Sequence, residues 1–104
     1  MTKNKTIAVL CHKLEVYRDI HGTKLWTQVT RLNYEAYSDY ITAINSLEEE
    51  YYSFLNERIL VGDDIIWCDV YRCDDGEFCA VISYEDLGTE YRASFWIEMI
   101  DLVL

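Results

Sequence analysis

Apolar residues alternate with polar ones through the first third of the chain. Ala8, Leu10, Leu14 and Val16 occupy even positions, while Ile7, Val9 and Tyr17 occupy odd ones. A period of two is the mark of a strand, so residues 6–18 are expected to be extended. His21-Gly22 suits a tight turn, and residues 23–32, rich in Thr, Val and Trp, return as a second strand. In that register Tyr17 faces Trp26 and Asp19 faces Lys24, both favourable cross-strand pairs. A helix over 6–20 that stops at Gly22 is the competing reading.

The period changes over residues 34–58. Tyr37, Tyr40, Ile41, Ile44, Leu47, Tyr51, Phe54 and Leu55 follow helical spacing. Asn33 is the expected N-cap. Ser46 with Glu49 has the form of a capping box, so a kink or a second helix is expected near Asn45-Ser46.

Residues 65–73 and 77–85 read as a hairpin about Asp75-Gly76, a pair suited to the positive φ of a type I′ turn. One face is expected to carry Ile65, Trp67, Tyr71, Phe78, Ala80, Ile82 and Tyr84. The other takes Ile66, Cys68, Val70, Cys79 and Val81. After a turn at Leu87-Gly88, residues 90–104 fit either a strand or a helix. Alternation of Tyr91, Ala93, Phe95, Ile97 and Met99 with polar residues favours the strand. The expected fold is α+β: one domain over 1–104, with an antiparallel sheet of about five strands, ββαβββ. One long amphipathic helix packs on one face of it.

Charge sharpens this picture. Residues 1–34 are net +4 and residues 35–104 net −14, within a total of −10. Such a field repels nucleic acid and anionic membranes and attracts basic surfaces. Half of the residues are apolar, enough for a core. No apolar run reaches transmembrane length, and no signal peptide is recognisable, so a cytoplasmic protein is expected. The four cysteines, Cys11, Cys68, Cys73 and Cys79, are then expected as reduced thiols.

The acids are the candidate contacts. On a helix over 34–58, Glu35, Asp39, Glu49, Glu50 and Glu57 would share an arc opposite the apolar face, about 33 Å long at about 1.5 Å per residue. The competing reading is an ordinary solvated face, but Arg58 is its only basic residue. Asp74, Asp75 and Glu77 crowd one end of the hairpin; Asp63, Asp64, Glu85, Asp86 and Glu90 crowd the other. Plain turn chemistry is the competing reading there. Tyr34 and Tyr52, at the border of the helix's apolar arc, are candidate contacts as well.

No catalytic, cofactor or metal residues are expected. P-loop, H-E-x-x-H and C-x2-C patterns are lacking, and Cys11 and His12 point to opposite sides of a strand. Cys68 and Cys79 read as small core residues on one face. Asp69 is unusual in an apolar strand and, if buried, would need Arg72 or Arg92.

No family motif is present. In size and charge the chain is of a type with acidic antirestriction and anti-CRISPR proteins of phages. The absence of proline and the wealth of Ile, Tyr, Asn and Lys suit an AT-rich mobile element. The leading expectation is a non-enzymatic inhibitor that mimics nucleic acid and binds a basic protein without binding nucleic acid or membrane. An immunity protein or antitoxin against a basic nuclease is the alternative. A small enzyme or ligand binder using an apolar sheet face is a third reading, and a homodimer is left open.

Overall fold

The computed structural model describes residues 4–72 and 78–103. Its elements are β1 (Asn4–Ile20), β2 (Thr23–Tyr37), α1 (Tyr40–Leu60), β3 (Asp64–Arg72), β4 (Phe78–Asp86) and β5 (Thr89–Val103). The strands form one antiparallel sheet in the order β2-β1-β5-β4-β3. Its first half reproduces the register read from the sequence, with Tyr17 opposite Trp26 and Asp19 opposite Lys24. His21 and Gly22 take positive φ at the first hairpin turn, as do Leu87 and Gly88 at the last. The C-terminal segment is the strand that its alternation favours.

α1 begins later than its periodicity suggests. β1 is long enough to pair Ala8 with Tyr37, so residues 34–37 stay in β2. The cap is Asp39 rather than Asn33: its carboxylate accepts the Thr42 N–H at 2.8 Å and the Thr42 hydroxyl at 2.9 Å. The helix runs unbroken through Asn45-Ser46, because packing of Ala43, Leu47 and Tyr51 on the sheet holds both halves in line.

One face of the sheet lies beneath α1. Ala8 and Leu10, Ala80, Ile82 and Tyr84, and Ala93, Phe95 and Ile97 form the core with Ala43, Leu47 and Tyr51. The alanines leave room for close approach, and the larger side chains fill the space between them. The other face has no second layer. Molecular extents of 56 × 33 × 23 Å reflect the long β1–β2 hairpin.

The second hairpin is one residue out of the expected register. A two-residue Asp75-Gly76 loop would pair Arg72 with Cys79, whereas Arg72 pairs with Phe78, and the register shifts again between Ile65 and Trp67. Cys68 and Val70 therefore lie beneath α1, and Trp67 turns to the open face. Cys68 and Cys79 do not share a face: Cys68 is opposite Ile82, while Cys79 is opposite Trp96. Asp69 is exposed, and its carboxylate accepts the Val70 N–H at 2.8 Å, so it needs neither arginine.

Candidate interaction surface

The acid is concentrated where α1 ends. Gly62, at φ +86, turns the chain into Asp63 and Asp64. Asp64 lies opposite Glu85, and Glu85 lies opposite Glu90, a row of three carboxylates across three strands. Directly opposed like charges destabilise a sheet. The helix C-terminus adds the negative end of its dipole.

By the alternation of β4 that row points to the open face, whereas on the helix side of the sheet Asp63 is pressed against Asp86. Burial raises the Asp63 pKa, and the neighbouring Asp86 raises it further. Arg58 holds Asp63 at 3.2 Å and Glu57 at 3.1 Å. Its guanidinium also lies over the rings of Phe54 and Tyr84, 5.3 and 5.6 Å from their centroids. Its buried Nε has no hydrogen-bond partner among the described residues. Beside the row, a concavity of about 310 Å³ is lined by Tyr17, Asp19, Lys24, Glu85 and Glu90, among others.

The expected 33 Å acidic helix face is shorter and differently composed. Glu35 is an exposed residue of β2, and Asp39 is committed to capping. Glu49, Glu50 and Glu57 remain exposed on α1. Tyr52 is exposed, its ring edge-on to Tyr51. Tyr34 belongs to β2 rather than to the helix, and its side chain lies outside the described residues. Asp74, Asp75 and Glu77 also lie outside the described residues.

Two basic residues of the first third, Lys13 and Arg31, are paired with acids, as is Arg92. Arg31 meets Glu98 at 2.8 Å; Arg92 and Lys13 meet Glu15 at 3.1 and 3.7 Å. Arg92 lies 4.3 Å from the Trp26 ring centroid, and Arg31 lies 5.3 Å from that of Trp96. These groups cover the open sheet face, where a depression of about 340 Å³ is lined by Lys13, Glu15, Trp67, Val81, Arg92 and Ser94. That network was invisible to sequence reasoning, because Glu15 and Arg92 are 77 residues apart.

His12 is on the opposite face from Cys11. It is buried against Phe95 and bonded through Nδ1 to the Ser94 carbonyl at 3.1 Å. Among the described residues, no three His, Cys, Asp or Glu side chains gather as a metal site, and no helix is long and apolar enough to cross a membrane. No protein-family model, curated protein or solved structure matches this chain.

Proposed function

We propose that this protein is a small non-enzymatic inhibitor that covers the basic, nucleic-acid-binding surface of another protein. The observation that carries this reading is the row Asp64–Glu85–Glu90 on the open face, at the end of the sheet where α1 stops, with Asp63 against Asp86 on the helix side. Folding gains nothing from carboxylates set opposite one another across a sheet. A cationic groove gains a great deal, since carboxylates spaced along a surface take the places of phosphates. Glu49, Glu50 and Glu57 add negative charge on the helix side of the sheet. Long-range attraction speeds encounter, and apolar contacts slow release. A restriction or CRISPR nuclease of a phage host, met in the cytoplasm, is the kind of target this chemistry suits. An immunity protein against a basic nuclease toxin would use the same surface. A ligand-binding or enzymatic reading has less support, because the open sheet face is a network of ion pairs rather than an apolar pocket.

The test is retention of proteins from a bacterial lysate on the immobilised chain. The retained protein is expected to bind nucleic acid by itself and to be displaced by excess duplex DNA. The Glu85→Lys/Glu90→Lys variant should associate more slowly, with a flatter dependence on salt. A partner indifferent both to duplex DNA and to this reversal would remove the mimic reading.

A further inference from the structure

α1 runs alongside the edge strand β3. Three contacts lay the helix antiparallel to that strand. The Tyr40 hydroxyl accepts the Phe78 N–H at 3.2 Å, the Tyr51 hydroxyl lies near the Cys68 thiol, and Arg58 holds Asp63. Phe54 instead faces His12 and Phe95 on the central strands. At about 100° per residue, Tyr51 lies about 60° round from Phe54. Continuing in that sense, Ile41, Tyr52 and Ile59 nearly coincide about 80–100° beyond Tyr51. They form a second apolar stripe on the β3 side of the helix, 72, 55 and 56% exposed. Apolar residues in helical register usually face protein rather than water.

Among the described residues, no strand pairs with the outer side of β3. The Val70 N–H, bonded to the Asp69 carboxylate, points away from β4. By the alternation of an antiparallel ladder, the Cys68 N–H points outward as well. A free edge beside an apolar stripe is the setting for strand addition, in which main-chain bonds supply affinity and alternate side chains supply selectivity. The stripe and the strand match in length, about 27 Å for Ile41 to Ile59 on the helix and about 30 Å for β3.

Charge identifies the occupant. Asp64 and Asp69 lie on β3, and Glu48 falls within the helical stripe. A second copy of the chain, itself at −10, would be repelled. We infer that the exposed flank of α1 and β3 forms a groove for an extended basic segment of the partner, added to β3 as a sixth strand. Its apolar side chains face Ile41, Tyr52 and Ile59, and its Lys and Arg side chains, on the alternate face, meet Asp64 and Asp69. This rests on the inhibitor reading and names the part of the partner that is held.

The probe is a displayed library of random 12-residue peptides selected on the intact protein. Enriched peptides should alternate apolar residues with Lys or Arg. Cys68→Pro removes an outward N–H without removing a bond to β4, and edge strands tolerate proline there. It should weaken an enriched peptide at least tenfold. Tyr52→Lys/Ile59→Lys, which leaves the backbone intact, should do the same if the proline variant misfolds by circular dichroism. The inference is overturned by failure to enrich, by enrichment of acidic or helical peptides, or by binding that survives the substitutions in folded protein. A homodimer dissolved by Cys68→Pro in sedimentation would also overturn it, by placing a second copy on the edge. A lysate partner lost with Glu85→Lys/Glu90→Lys but kept by Cys68→Pro would reject the groove and retain the inhibitor. Peptide selectivity as described, with a lysate partner that does not bind nucleic acid, would do the reverse.

Discussion

The His12 imidazole stacks on the Phe95 ring, with centroids 4.4 Å apart and planes 26° from parallel. Phe54 closes over it at 5.7 Å. Burial lowers the His12 pKa, against the opposing effect of the Ser94 carbonyl. The folded protein therefore takes up this proton at lower pH than the unfolded chain does. Stability from this site is intact above the ordinary histidine value of about 6.5 and is lost as pH falls from there toward the folded pKa. The His12 ring resonances should titrate below the ordinary value, and His12→Phe should remove this part of the pH dependence of melting.

Asp63 shifts in the opposite direction. With its pKa raised by burial and by Asp86, its contribution to stability improves as pH falls from the folded pKa toward the ordinary carboxyl value, and then levels off. Asp86→Asn removes one source of the shift. It should lower the Asp63 titration midpoint, followed by carbon-detected NMR, and raise the Tm at neutral pH.

Leu47 is fully buried at the centre of the helix–sheet contact. Leu47→Ala should cost about 2–5 kcal/mol, and at ~4–8 °C per kcal/mol the Tm should fall by roughly 10 °C or more. Asp39→Ala should lower helix stability through loss of the cap, and Asp39→Ser should restore most of it. Because the Thr42 hydrogen bonds lower the Asp39 pKa, the stability it supplies is present above the ordinary aspartate value and is lost as pH falls through its folded pKa. Urea unfolding at several pH values measures both effects.

Gel shifts at low salt with duplex and single-stranded probes should show no binding by the isolated protein. The chain carries −10 overall, and Arg31, Arg92 and Lys13 are engaged by Glu98 and Glu15 on the open sheet face. Micromolar retention of either probe would contradict this expectation.

Reductant and a chelator should leave the melting curve nearly unchanged. The Cys11 thiol is buried, bonded to the Val9 carbonyl, and shifted upward in pKa mainly by burial. It should react with a thiol reagent far more slowly than exposed Cys68. Mass spectrometry after timed alkylation separates the two.

Local patterns determined much of this architecture. Alternation in β1 and β5, glycine at the Gly22 and Gly88 turns, and the spacing of Leu47, Tyr51 and Phe54 are short-range signals of backbone period and positive φ. They specify element type, and in the first hairpin they specify register as well. The end of a strand depends on its neighbour: residues 34–37 remain extended because β1 supplies hydrogen-bond partners as far as Tyr37. The second hairpin shows the same limit, since a one-residue difference in register carries Cys68 and Trp67 to opposite faces from those expected. Composition also established the excess of acid, but its placement required tertiary structure. Pairing β1 with β5 brings Glu15 to Arg92, and pairing β2 with β1 sets Arg31 near Glu98, so Lys13, Arg31 and Arg92 are paired with acids there. Carboxylates opposed across three strands, Asp64, Glu85 and Glu90, are left at the end of the sheet where α1 stops, with Lys24 near Glu85 and Glu90. Coulomb interactions act through space, so residues far apart in the chain decide which charges are paired and which face a partner.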